Sequence, residues 1–282
     1  MHLDFDAAAL VLVAAFLHAT WNALAKSSGD RMVTLACVMG TGVVVGAIGS
    51  LFVPVPARAA LPFLAASAVF HFLYQIFLLY AYRAGDLSLV YPIARGSAPL
   101  LVAVLAASFA GEVPRPLQAG GIALASVAMT TFAFEPRVPH KEIARSIAAA
   151  FATAAMIGGY TFLDAQGIRH AGNDLSYIAW NSWATGIAFC VLALARNRGR
   201  LAPFLGREGA RGLAGGLLAL VAYGIVLWAM SRGAMANVAS LRETSVVIAA
   251  LIGTRLLGEG FAARRVASAL CVALGVVLLQ LG

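Results

Sequence analysis

Six ionisable side chains lie inside apolar stretches long enough to cross a membrane: His18, His71, Arg95, Asp164, Arg242 and Glu243. A charge in hydrocarbon costs several kcal/mol unless it meets a partner or a wet cavity, so each position is a candidate for function. Arg95 sits about seven residues into its stretch, roughly 10 Å deep at 1.5 Å per residue. Pro92 and Pro99 flank it, remove backbone donors and free carbonyls that could line a cavity. A guanidinium there either binds an anionic group of a solute or locks two helices in an ion pair. Arg242 stands 147 positions on at a matching depth, with Glu243 beside it. Neighbours on a helix point about 100° apart, so these two are expected to need other partners. Glu243 is the one carboxylate well inside a stretch, which suits it to carry a proton or to bridge to Arg95.

Polar residues also recur at helical spacing. His18, Trp21, Asn22 and Lys26 share one face, Tyr160 and Asp164 share another, and His71, Tyr74, Gln75 and Tyr82 a third. Ser88 and Tyr91 fall on the side of Arg95, while Asn237, Ser240 and Thr244 surround Arg242. Together these stripes predict a polar cavity, although any single member could be an interhelical hydrogen bond. The expected substrate-binding set is Arg95, Arg242, His18, Asn22, Tyr74, Gln75, Tyr91, Tyr160 and Thr244, with Glu243 and His18 as proton-carrying candidates. Asp164, near the end of its stretch beside Arg169 and His170, reads as an interfacial group. Trp180, Asn181 and Trp183 read as part of an aromatic belt.

Catalytic signatures are missing: there is no phosphate-binding glycine loop, no His-Glu-x-x-His pair and no Gly-x-Ser-x-Gly elbow, so neither enzyme nor cofactor is expected. Cys37, Cys190 and Cys271 lie too far apart for a metal motif and read as packing residues.

These groups must be positioned by membrane helices. Of 282 residues, 61% are hydrophobic and 11% charged, against about 25% charged in a soluble domain. The pattern predicts an all-α integral membrane protein with ten spans, near 6–25, 32–53, 61–82, 88–110, 117–134, 146–166, 175–195, 212–231, 235–257 and 262–281. The first is no cleaved signal, since Asp4 and Asp6 precede it and a basic leader is missing. The run Leu89 to Glu112 resembles the run Ala236 to Glu259, matching Arg95 to Arg242, Ser97 to Thr244 and Gly111-Glu112 to Gly258-Glu259. This divides the chain into repeats over 6–134 and 146–281, joined by 135–145. Five spans per repeat would make them inverted. Gly42 and Gly46, Gly212 and Gly216, and Gly120-Gly121 are expected helix contact faces.

The net charge of +8 is spread through short loops without an aromatic-laced patch, which excludes nucleic acid as a partner. Loops after odd-numbered spans hold fourteen lysines and arginines, those after even-numbered spans only Arg58, Arg115, Arg169 and Arg232. The excess puts the odd loops in the cytoplasm and both termini outside. The polar stretch Arg196 to Arg211 reads as a cytoplasmic loop. The expected partners are a lipid bilayer and a small-molecule substrate, and the pattern carries no signature of an oligomeric state.

The paired stretches ending in Gly-Glu, the Gly- and Ala-rich spans after them and the opening His18-Ala-Thr-Trp-Asn22 run resemble the drug/metabolite transporter superfamily, EamA type, over essentially the whole chain. The resemblance implies ten helices in two inverted five-helix repeats in the inner membrane. It also implies secondary transport of a small polar metabolite such as an amino acid or nucleobase, by alternating access and commonly against a proton gradient. Many relatives keep both termini in the cytoplasm, opposite to the charge tally. A lipid-carrier flippase and a membrane scaffold are the alternatives. A wet cavity reaching Arg95 and Arg242 would mark a carrier, a groove open to lipid a flippase and a closed dry core a scaffold.

Overall fold

The computed structural model describes residues 3–26, 31–84, 87–131, 140–248 and 263–281. They form helices α1 (Phe5–Lys26), α2 (Arg31–Ser50), α3 (Leu61–Ala84), α4 (Leu87–Phe109), α5 (Pro116–Thr131), α6 (His140–Arg169), α7 (Asp174–Arg232), α8 (Met235–Arg242) and α9 (Ala263–Leu281), with a short 3-10 turn at Arg58–Ala60 before α3. No strand occurs among the described residues. Seven stretches among the described residues, two of them within α7, are long and apolar enough to cross a membrane. Val44, Ile48, Val104, Val127, Val191 and Leu274 point outward, which suits a hydrocarbon surround. The chain is thus a multi-pass α-helical membrane protein. The stretch 249–262, with the end of the expected ninth span and the second Gly-Glu pair, lies outside the described residues.

Local chemistry sets the helix ends. α4 continues through Pro92 and Pro99 and stops at Gly111, whose φ of 68° only glycine adopts without strain. The Glu112 N–H then turns back to the Ala106 carbonyl at 3.0 Å, the closure that caps a helix through a left-handed glycine. α5 starts on Pro116, and the Gln118 side chain accepts the Arg115 N–H at 3.0 Å. Asn173 caps α7 by accepting the Ser176 N–H.

α7 corrects the expectation of a loop at Arg196 to Arg211, because helical structure runs unbroken through 59 residues that include Pro203. A straight helix of that length would be about 88 Å long. Its two ends nevertheless touch: Arg232 Nη1 lies 2.7 Å from Asp174 Oδ2, and Ser231 Oγ 3.0 Å from the same oxygen. The helix therefore doubles back within the arginine-rich stretch, giving two antiparallel legs in place of two helices and a loop.

α2 packs along both legs, through Gly46 against Ser182 and Ala179 on one side and through Cys37 and Thr41 against Gly212 and Gly216 on the other. α6 packs on α3 and α4, α1 on α7, and α5 on α9. The α5–α9 crossing is the tightest kind of contact: a Cβ on Gly121 would stand 2.6 Å from the Gly275 carbonyl oxygen, and one on Gly275 2.7 Å from that of Gly121.

Candidate substrate-binding centre

Every residue of α8 is buried. The helix begins after the extended Gly233, ends at Arg242 and breaks at Glu243, whose N–H turns to the Ser240 carbonyl at 3.1 Å; helical structure resumes at 244–248. Glu243 Oε1 lies 3.4 Å from the neighbouring Arg242 Nη2, a long contact that leaves each group in need of a further partner, as adjacent positions on a helix imply. Glu243 Oε2 lies 2.8 Å from Arg95 Nε on α4. One fully buried carboxylate thus serves two guanidiniums, joining α4 to α8.

α1 supplies the next group. The Trp21 indole can only donate and lies 3.2 Å from His18 Nδ1, which leaves the hydrogen of a neutral ring on Nε2. His18 Nε2 stands 3.4 Å from Arg95 Nη2, so two donors lie side by side. Arg95 Nη2 also donates to Ser245 Oγ at 3.2 Å. Arg242 is less engaged: its hydrogen bond to Glu243 is long, and Nε is buried without a partner among the described residues. Asn237 Oδ1 and Ser240 Oγ, on the same short helix, and Gln75 Oε1 on α3 are buried without partners in the same sense. Buried donors and acceptors left unpaired are places that a polar molecule can satisfy.

The remaining predicted residues divide. Asn22 donates to the His18 carbonyl at 2.8 Å and Thr244 to the Leu241 carbonyl at 2.7 Å, so both are turned onto their own backbone. Gln75 reaches Met39 Sδ at 3.5 Å. Tyr74 meets Tyr160 edge-on with centroids 5.6 Å apart, and Tyr160 lies over His71 at 3.9 Å. The side chain of Tyr91 is outside the described residues.

Asp164 differs most from its sequence reading. It is fully buried and accepts from Tyr177 Oη at 3.1 Å, Asn181 Nδ2 at 2.6 Å and Tyr223 Oη at 2.5 Å, with His71 Nε2 at 4.0 Å. Position along α6 suggested an interface, but both legs of α7 fold over this point and bring three donors. The polar pair Tyr177 and Asn181, four apart and facing Tyr160 and Asp164, was the available signal. Trp180 and Trp183 likewise keep their indole N–H groups buried, unlike an interfacial belt.

The centre is closed, so the expected wet cavity reaching Arg95 and Arg242 is not found among the described residues, and a closed core is the outcome named above for a scaffold. Arg95 and Arg242 are each 4% exposed. One end is shut by Arg169 of α6, which pairs with Glu112, donates from Nε to the Met230 carbonyl at 2.8 Å and from Nη2 to that of Gly233 at 2.7 Å. Glu112 Oε2 also accepts the Met235 N–H at the start of α8, at 3.0 Å.

The EamA-like transporter family matches residues 144–281. A crystal structure of a protein 19% identical in sequence has the same fold, with a TM-score of 0.76 over 98% of each chain. No curated protein matches.

Proposed function

Because residues 144–281 belong to the EamA-like transporter family of the drug/metabolite transporter superfamily, we propose that this membrane transporter of small molecules is a secondary carrier for a polar metabolite bearing an anionic group. It works by alternating access in the inner membrane. Ten helices form two inverted repeats, 6–134 and 146–281, joined by 135–145. Substrate sits between them. Arg242 provides the anion contact, and Arg95, His18, Tyr74, Gln75 and Tyr160 shape the surroundings. Asn22 and Thr244 contribute after turning from their backbone partners, and Tyr91 borders the site.

The observation that carries this reading is that Arg242 Nε, Asn237 Oδ1 and Ser240 Oγ, all on the one short buried helix α8, have no hydrogen-bond partner among the described residues. A scaffold with a closed core gains nothing from leaving such atoms unsatisfied, since each costs roughly 1–3 kcal/mol. A carrier in an occluded conformation gains a place where an anion and its hydroxyl or amide groups replace the missing partners. Glu243 holds the two guanidiniums together, which suits it to the role of counter-ion.

The test is a melting-temperature screen of the purified protein against anionic metabolites, because a ligand specific to the folded state at 100 times its Kd adds about 2.7 kcal/mol of stability. A hit should accumulate in proteoliposomes, and its stabilising effect should vanish in Arg242→Ala. Full stabilisation of Arg242→Ala by the hit would refute the assignment.

A further inference from the structure

We propose that His71 and Asp164 form a proton-carrying dyad. The inference rests on the transport reading above and adds a coupling site to it.

The argument starts from the ring nitrogens. His71 Nδ1 lies 3.2 Å from the Ser67 carbonyl oxygen. A carbonyl only accepts, so the hydrogen of the neutral imidazole belongs on Nδ1 and the Nε2 lone pair faces Asp164. Nε2 stands 4.0 Å from Asp164 Oδ2. Two bases confront each other there. A proton arriving on Nε2 turns this standoff into a charge-assisted hydrogen bond, which forms at about 2.7–2.9 Å and needs an approach of only about 1 Å.

The surroundings favour this use. Asp164 is held by three neutral donors, and among the described residues no arginine or lysine pairs with it. Its charge is therefore positioned without being neutralised. The His71 side chain is 14% exposed while Asp164 is not exposed at all, so the imidazole is the member through which a proton enters. The ring is steadied by Tyr160 below it at 3.9 Å and by Tyr223 edge-on at 5.8 Å.

Tyr160 on α6 and Tyr223 on the second leg of α7 contact the His71 ring and Asp164 on α6 faces Nε2, while Tyr74 on the helix of His71 meets Tyr160 and Tyr177 on the first leg of α7 donates to Asp164. Arg95 on α4 is engaged by Glu243. The tyrosines are neutral at physiological pH. The carboxylate of Asp164 is thus the anion that meets the imidazolium. Glu243 serves less well as the proton carrier, because its protonation would leave Arg95 and Arg242 facing each other without a counter-ion.

The test uses the full chain in nanodiscs with 15N-labelled histidine. The resonance lost in His71→Gln should pass from the Nδ1–H tautomer to the imidazolium on acidification, and Asp164→Asn should lower its proton affinity by about tenfold or more. An unchanged titration in Asp164→Asn overturns the dyad. In proteoliposomes, His71→Gln should lower the ratio of accumulation driven by a pH gradient to counterflow exchange by about tenfold. An unchanged ratio also overturns it. Failure of the transport reading has a separate signature, namely no metabolite bound through Arg242, and the titration decides on the dyad in that case too.

Discussion

The carboxylate of Glu112 accepts the backbone N–H of Met235, 123 positions further along the chain, at 3.0 Å. Its other oxygen pairs with Arg169. A negative group at the first residue of α8 suits the positive end of that helix, and the same charge compensates a guanidinium that also caps the carbonyls of Met230 and Gly233. Replacing Glu112 with Gln keeps an acceptor for Met235 and removes the countercharge of Arg169, at an expected cost of about 3 kcal/mol. The unfolding midpoint in detergent should fall accordingly, and Glu112→Ala should fall further because it loses the cap as well. Equal midpoints for Glu112→Gln and the parent chain would show that the ion pair contributes little.

The shared carboxylate makes the three central charges unequal. Glu243→Gln strands two buried guanidiniums and should destabilise most, by about 3–5 kcal/mol. Arg95→Ala should cost less, because Glu243 keeps Arg242 as a partner at 3.4 Å. Arg242→Ala leaves the Arg95–Glu243 pair intact and should cost least. Denaturation midpoints of the three variants check the order.

The α5–α9 crossing has a built-in control. Gly121→Ala would drive its methyl group into the Gly275 carbonyl and should cost about 1–3 kcal/mol by forcing the helices apart. A Cβ on the neighbouring Gly120 meets nothing within 4 Å, and Gly120→Ala should be neutral or slightly stabilising. Thermal melts of the two variants side by side provide the comparison.

The excess of basic residues in the odd loops predicts extracytoplasmic termini. In a background with Cys37, Cys190 and Cys271 replaced, His2→Cys should react with an impermeant thiol reagent on intact cells. Protection of that cysteine until the cells are opened would reverse the orientation.

Depth along a single helix was legible in the sequence. It picked out Arg95, Arg242 and Glu243 as costly groups, and the spacing of Gly42, Gly46, Gly212 and Gly216 marked faces that do meet neighbours. Relations between helices were not legible. Asp164 looked peripheral because nothing in its own segment reveals that Tyr177 and Tyr223 close over it from two legs of one doubled helix. Arg196 to Arg211 looked like a loop because charge, Pro203 and several glycines usually end a helix, yet these residues are helical. The Arg242–Glu243 contact joins chain neighbours and is long, whereas the closer pairing of Glu243 with Arg95, which the sequence offered as one of two roles for Glu243, crosses from α8 to α4.

The doubled helix also constrains how the chain can move. Tyr177 and Asn181 on one leg and Tyr223 on the other grip the same carboxylate, so prising the legs apart strips Asp164 of a hydroxyl on at least one side. An anion bared in this way must take up water or a proton before the interior can part, which ties any widening at this level to hydration of a single atom group rather than to a swing of rigid rods.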